Sequence, residues 1–403
     1  SAETAELWSD VNRWKKVAWR GGERKKPPDD LERLLTMISS ATVSQFADFA
    51  RYEMDLRAFA TLDAVDVAFG VDQHNFRENH KLYFDPYRGR WEPIAWNLRG
   101  FRDDPVFNLV ENPVLLRLKL VPGFLSLRNR ILYQLLVGDG AVSSVRARAS
   151  KMLRKLAPEL ATDPYWDAYM LLSPIDWFHR RMLRPMDLRR AALVLESEMT
   201  TYEGRHDFLV RELQRNAFWH AIEVGETADR TLVKLIIDGR AGVKLERFRL
   251  DFSHDCHQVS WRGLRNGVPV TPFSSDDQAE LVRPLDLFTA VRLVKRENPS
   301  RTRGEVRTRA VPVAYPFAIE SSCIPQGFWA EGIHLATGSR VKSRPAGEER
   351  LAALPRKRLS GDEVPEFEPG ETSAHPWSLP MTAARSVQIG PGTVEVPETR
   401  IFT

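Results

Sequence analysis

The 403-residue chain carries 58 Lys plus Arg against 54 Asp plus Glu, a formal charge of +4, with 43% hydrophobic and 28% charged residues. Its 11 Trp, 8 Tyr and 20 Phe supply enough large apolar surface to exclude disorder as the general state, and the length suits two or three domains. No run approaches the roughly 18 consecutive apolar residues of a membrane-spanning helix.

The charge excess is small, and no zinc finger, glycine-rich phosphate loop or aromatic-basic module is present, so no specific nucleic-acid role is expected. Residues 1–28 read as an irregular, basic lead-in without a signal-peptide pattern, ending at Pro27 and Pro28. The basic runs Lys15-Lys16, Arg24-Lys25-Lys26 and Arg356-Lys357-Arg358 read first as solvated faces or tails, with an anionic surface as the alternative.

Asp29 and Asp30 suit a helix start, and Leu31 to Ile38 has helical apolar spacing. Phe46, Phe49, Met54, Leu56, Phe59, Leu62, Val65 and Phe69 continue as one helical stripe that Gly70 ends. Leu82-Tyr83-Phe84 and Trp91 to Trp96 then read as two short strands about the turn-forming Asp85-Pro86-Tyr87-Arg88-Gly89. Asn112 to Leu136 reads as one or two packed helices, and residues 141–157 and 186–218 add more helix.

From about residue 221 the pattern turns to strands. Leu232 to Ile237 stops at Asp238-Gly239, Val243 to Phe252 alternates in part, Asn266-Gly267 is a hairpin turn, and Val306 to Tyr315 adds a strand. The expected class is α+β: a mainly helical body with a β-hairpin over residues 1–218, then an all-β domain over 219–340. Residues 341–376, rich in Pro, Gly and charge, read as a linker, and 377–403 as the start of a further β module. Cys256 and Cys323 are compatible with one disulfide or with two thiols. His254-Asp255-Cys256-His257 gathers metal-ligand types, but neighbours along a strand point to opposite faces, which favours a structural or surface role.

The polar residues with most chemical content follow the stripe: Asp72, His74, Asn75, Asn79 and His80, with Asn97 and Arg99 beyond the hairpin. Phosphoryl transfer needs a carboxylate to orient the acceptor, oxygen ligands for Mg²⁺ and cations for phosphate. Asp72 could orient a hydroxyl, Asn79 and Asn97 could offer amide oxygens to a metal, and Arg77, Lys81 or Arg99 could contact phosphate. A helix-cap and turn network around the hairpin accounts for the same residue types.

The stretch from Asp72 through Asn79-His80-Lys81-Leu82-Tyr83-Phe84-Asp85 to Gly89-Arg90-Trp91-Glu92-Pro93-Ile94-Ala95-Trp96-Asn97-Leu98-Arg99 resembles the spore-coat CotH kinase family. That family shows an Asp, an Asn before a Tyr-rich strand, a turn, and a second strand ending in Pro-Trp-Asp-Leu-Asp. Asn112-Pro113-Val114-Leu115-Leu116-Arg117 through Phe124 is similar to its helical continuation, and the likeness spans residues 10–218.

The resemblance implies the carboxyl-side portion of an atypical kinase-like fold that transfers phosphate from ATP, with Mg²⁺ or Mn²⁺, to Ser or Thr of a protein substrate. It makes Asp72 the catalytic Asp and Asn79 a metal-associated residue. Asn97 stands where the family has a metal-binding Asp, and Arg99 where it has a second acid. The first change removes a charge from the metal site and the second reverses one, as in a pseudokinase. The family's nucleotide-holding amino-terminal lobe is expected to precede Ser1 or to come from a companion chain. A secreted or cell-surface setting is expected from the β-rich remainder. A noncatalytic envelope or surface scaffold and a secreted carbohydrate-binding β module are the alternative readings.

Overall fold

The computed structural model describes residues 8, 11–18, 29–71, 74, 81–96, 112–121, 123–162, 188–215, 217–224, 230–252, 259–262, 278–296, 305–321, 325–352 and 400–402. They form an α+β architecture, as the sequence predicts.

The helical body opens with α1 (Asp29–Ser40) and α2 (Val43–Glu53). Thr42 starts α2 with a reciprocal capping box: its side chain accepts from the Gln45 N–H, and the Gln45 side chain accepts from the Thr42 N–H. The single stripe expected from Phe46 to Phe69 is in fact two helices, because the chain turns extended at Met54 and restarts in α3 (Leu56–Phe69). Asp55 caps the new helix by accepting from the Ala58 N–H, and its own N–H donates to the Trp91 carbonyl at 2.8 Å. A bond to the hairpin thus competes with helix continuation at this point and wins. Gly70, at φ 66°, ends α3 in the left-handed region that glycine adopts without a Cβ penalty.

The hairpin follows as β2 (Leu82–Asp85) and β3 (Arg90–Pro93), turning over residues 86–89 with Gly89 at φ 62°. It sits at one side of a four-stranded sheet whose other members are the short strands β1 (Lys16–Ala18) and β15 (Arg400–Phe402), in the order β1-β15-β2-β3. Asn112 caps α4 (Pro113–Leu120), with Pro113 in the first turn where its missing N–H costs nothing. The helices α5 (Phe124–Val137), α6 (Val142–Thr162) and α7 (Leu188–Gln214) complete the body. Trp91, Phe46, Phe59, Leu115 and Phe124 lie in one buried cluster, so the hairpin is packed onto the helices.

Strands begin at Phe218, a few residues before the pattern change read from sequence. The sheet run comprises β4 (Phe218–Val224), β5 (Arg230–Ile237), β6 (Val243–Asp251), β7 (Val259–Arg262), β8 (Gln278–Leu287), β9 (Ala290–Arg296), β10 (Glu305–Val311), β11 (Val313–Ser321), β12 (Gly327–His334), β13 (Arg340–Lys342) and β14 (Arg344–Pro345). One sheet has the order β14-β4-β5-β11-β7 and another β13-β12-β6-β8, while β9 and β10 form a ribbon. Phe218, Val233, Leu235 and Ile237 of the first sheet share a core with Leu245, Phe248, Leu250 and Phe328 of the second. Alternate burial along β12 is the signature of one face packed and the other wet. Tyr315 fixes the ribbon's root, accepting from the Phe288 N–H at 2.8 Å and donating to the Phe288 carbonyl at 2.9 Å. Strand pairing runs on to residue 345, and a short helix α8 (Glu348–Ala352) follows.

A third buried cluster joins the two regions. Ala64, Val67 and Ala68 of α3, Leu132 and Leu136 of α5, and Leu209 and Leu213 of α7 meet Ala241 and Ala336 from the sheet side. The Asn129 side-chain N–H donates to the Arg240 carbonyl, and Arg240 pairs with Glu212 at 3.2 Å.

Candidate functional site

The first half of α3 (Phe59 and Leu62), both ends of the hairpin and the first turn of α4 converge on a small, largely apolar cleft that His74, Lys81 and Asn112 also line. Two acids from α3, Asp63 and Asp66, are fully buried. They lie three residues apart, so they share a helix face. Asp63 meets Lys119 of α4 with Nζ at 3.1 Å and Arg128 of α5 with Nε at 3.7 Å. All three side chains are essentially out of solvent. Burial pushes the Lys119 amine and the Arg128 guanidinium down from their ordinary values, and the Asp63 charge opposes both shifts. Such a set ties α3, α4 and α5 together, since removing one partner strands a charge at a cost of about 3–5 kcal/mol.

Asp66 turns to His74 instead. The His74 Nδ1 lies 3.0 and 2.9 Å from the two Asp66 carboxylate oxygens, and Nε2 lies 2.6 Å from the Trp96 carbonyl. His74 is 1% exposed. Burial alone would lower the His74 pKa, but the Asp66 bond and charge, with the Trp96 carbonyl, outweigh it and raise it above the ordinary 6.5. Burial also raises Asp66, against the lowering pull of His74. Trp96 is half exposed, and the Lys81 ammonium sits 3.1 Å from its ring centroid, a cation–π contact.

Of the residues singled out from sequence, Lys81 lies at this cleft, stacked on Trp96. Asp72, Arg77, Asn79, Asn97 and Arg99 lie outside the described residues, as do His254, Asp255, Cys256, His257 and Cys323. Among the described residues no three His, Cys, Asp or Glu side chains are grouped to hold a metal ion. No helix among them is long and apolar enough to cross a membrane.

The sequence reading missed Asp63, Asp66, Lys119 and Arg128. Their signal was present: Asp63 and Asp66 interrupt an apolar helix three residues apart, and Lys119 stands between Leu118 and Leu120. His74 was noticed but given no role, because its partners come from 8 residues before it and 22 after it. Comparisons with family models, curated proteins and solved structures gave no significant match.

Proposed function

We propose that this chain is a CotH-like protein-kinase domain with a weakened metal site, binding ATP with Mg²⁺ or Mn²⁺ and transferring phosphate to protein Ser or Thr slowly or not at all. In this reading residues 1–218 are the carboxyl-side portion of an atypical kinase-like fold, and residues 219–340 are a separate β domain. Asp72 orients the acceptor hydroxyl, Asn79 and Asn97 offer oxygens to the metal, and Arg77 and Arg99 face phosphate. Lys81 would reach phosphate only by leaving the Trp96 ring.

The observation that carries the reading is the His74 bridge. His74 is two residues after Asp72, and Trp96 is one residue before Asn97. Consecutive Cα atoms are about 3.8 Å apart, so a direct contact between His74 and Trp96 favours Asp72 and Asn97 sharing one cleft. A catalytic carboxylate and a metal ligand need that proximity.

The deciding experiment is calorimetric titration of wild type, Asn97→Asp and Asn97→Asp/Arg99→Asp with Mg²⁺ and ATP. Affinity is expected to rise at each step, because a carboxylate replaces a neutral amide and then a cation beside the metal is removed. Equal affinities in three folded proteins would sink the site assignment. Labelling of a generic protein acceptor with γ-labelled ATP is expected to be weak in wild type. Strong labelling lost in Asp72→Ala would instead establish an unimpaired kinase.

A further inference from the structure

Both ring nitrogens of His74 face acceptors. A carbonyl oxygen carries no proton, so the 2.6 Å contact with Trp96 needs hydrogen on Nε2. An ionised Asp66 at 2.9 Å needs one on Nδ1 as well, and an imidazole bearing both is an imidazolium. Among the described residues, the charged groups near the pair include Asp63 and Asp66 on α3, Lys119 on α4, Arg128 on α5 and Lys81 at the hairpin start. Lys119 and Arg128 take Asp63, which leaves Asp66 to His74; burial and the Asp63 charge raise Asp66, while the His74 bond and charge, and then the Lys119 charge, favour its ionised form.

We infer that His74 is a positioning residue: an imidazolium held between the Asp66 carboxylate and the Trp96 carbonyl, clipping the chain that leaves α3 to the exit of the hairpin. The contact joins the chain leaving α3 to the exit of the hairpin, whereas the Ile94 N–H to Lys81 carbonyl bond at 2.8 Å is internal to the hairpin. A neutral imidazole has one N–H for two acceptors, so deprotonation sets a lone pair against either the Trp96 carbonyl or the Asp66 carboxylate and loosens one end of the clip. The clip stands on these contacts alone. Its effect on nucleotide binding rests on the kinase-like reading.

The test uses the full chain with ¹⁵N-labelled histidine, the His74 signals being assigned by their loss in His74→Gln. Two protonated ring nitrogens near pH 7 are expected, and one unprotonated, pyridine-type nitrogen would overturn the inference. Hydrogen exchange of the peptide holding Ile94 to Trp96 is expected to speed up at least about tenfold in His74→Gln, the scale of one charge-assisted hydrogen bond. In wild type it should also rise faster than base catalysis requires as pH climbs through the histidine's titration, and the variant should lack that extra rise. A merely space-filling histidine would show no such pH-linked difference. If His74→Gln does not fold, Asp66→Asn keeps the volume and removes the counter-charge. Wild-type protection in a folded variant would overturn the clip. Mg²⁺–ATP affinity measured in the same proteins separates the two ideas: a wild type that binds no nucleotide sinks the kinase-like reading, while the nitrogen spectra and exchange rates still decide the clip.

Discussion

Histidine protonation runs in opposite directions at the two ends of this molecule. His334 is buried near Thr337 Oγ1 at 3.0 Å, and burial pushes its pKa down from 6.5 to about 4. His220, bonded to Ser343 Oγ at 2.9 Å, is also lowered by burial. For both, the unfolded chain binds more protons below pH 6.5, so stability falls as pH drops below 6.5 and, for His334, keeps falling toward about 4. His74 has the opposite sign. Its raised value gives stability that is complete below 6.5 and is lost as pH rises through the folded value. The raised Asp66 also makes the folded state less favoured as pH rises. Urea midpoints measured across pH are therefore expected to show two flanks. His334→Gln should flatten the acid flank and His74→Gln the alkaline one. Flanks that both survive in the two variants would contradict these assignments.

Among the elements, the pairing of β6 with β12 depends on a missing side chain. The register shifts between Glu331 and Gly332, and a Cβ on Gly332 would lie 2.2 Å from the Lys244 carbonyl oxygen and 2.8 Å from Val243 Cγ1. The first contact is with backbone, which cannot rotate away. Gly332→Ala is expected to destabilise the protein by about 1–3 kcal/mol or more, the cost of overpacking. Gly338→Ala makes a useful control, since its added Cβ meets nothing and only its φ of 73° resists. Denaturant titration should rank Gly332→Ala well below Gly338→Ala in stability; the reverse order would show that the bulge tolerates a side chain. The same balance between local preference and pairing explains the break between α2 and α3. Helical periodicity carries straight through Met54, and the pairing of Met54 and Asp55 with Trp91, together with the Asp55 cap, stops it.

For the whole molecule, the cluster shared by α3, α5 and α7 with Ala241 and Ala336 couples the helical body to the sheets. Leu213 is fully buried there. Leu213→Ala is expected to cost about 2–5 kcal/mol, as buried leucine truncations do. If the cluster couples the two regions, helix circular dichroism and hydrogen exchange of the β5 and β6 amides should both report loss of structure at the same lowered temperature. A shift seen by only one probe would mean that helices and sheets unfold as separate units.

The sequence by itself determined where most of the chain is helical and where it is strand, because apolar spacing of 3.6 or 2 is written into consecutive residues. It also marked the Gly70 stop and the hairpin turn at Pro86 to Gly89, both of which are local. It could not place Asp66, His74 and the Trp96 carbonyl together, since these come from a helix, the chain beyond it and the far end of a hairpin. Nor could it tell that Asp63, Lys119 and Arg128 would share one dry site, because a charged residue in an amphipathic pattern reads as solvated until helix packing buries it. Burial and partner choice belong to the tertiary structure, where the cost of removing charge from water forces each buried ion toward an opposite one.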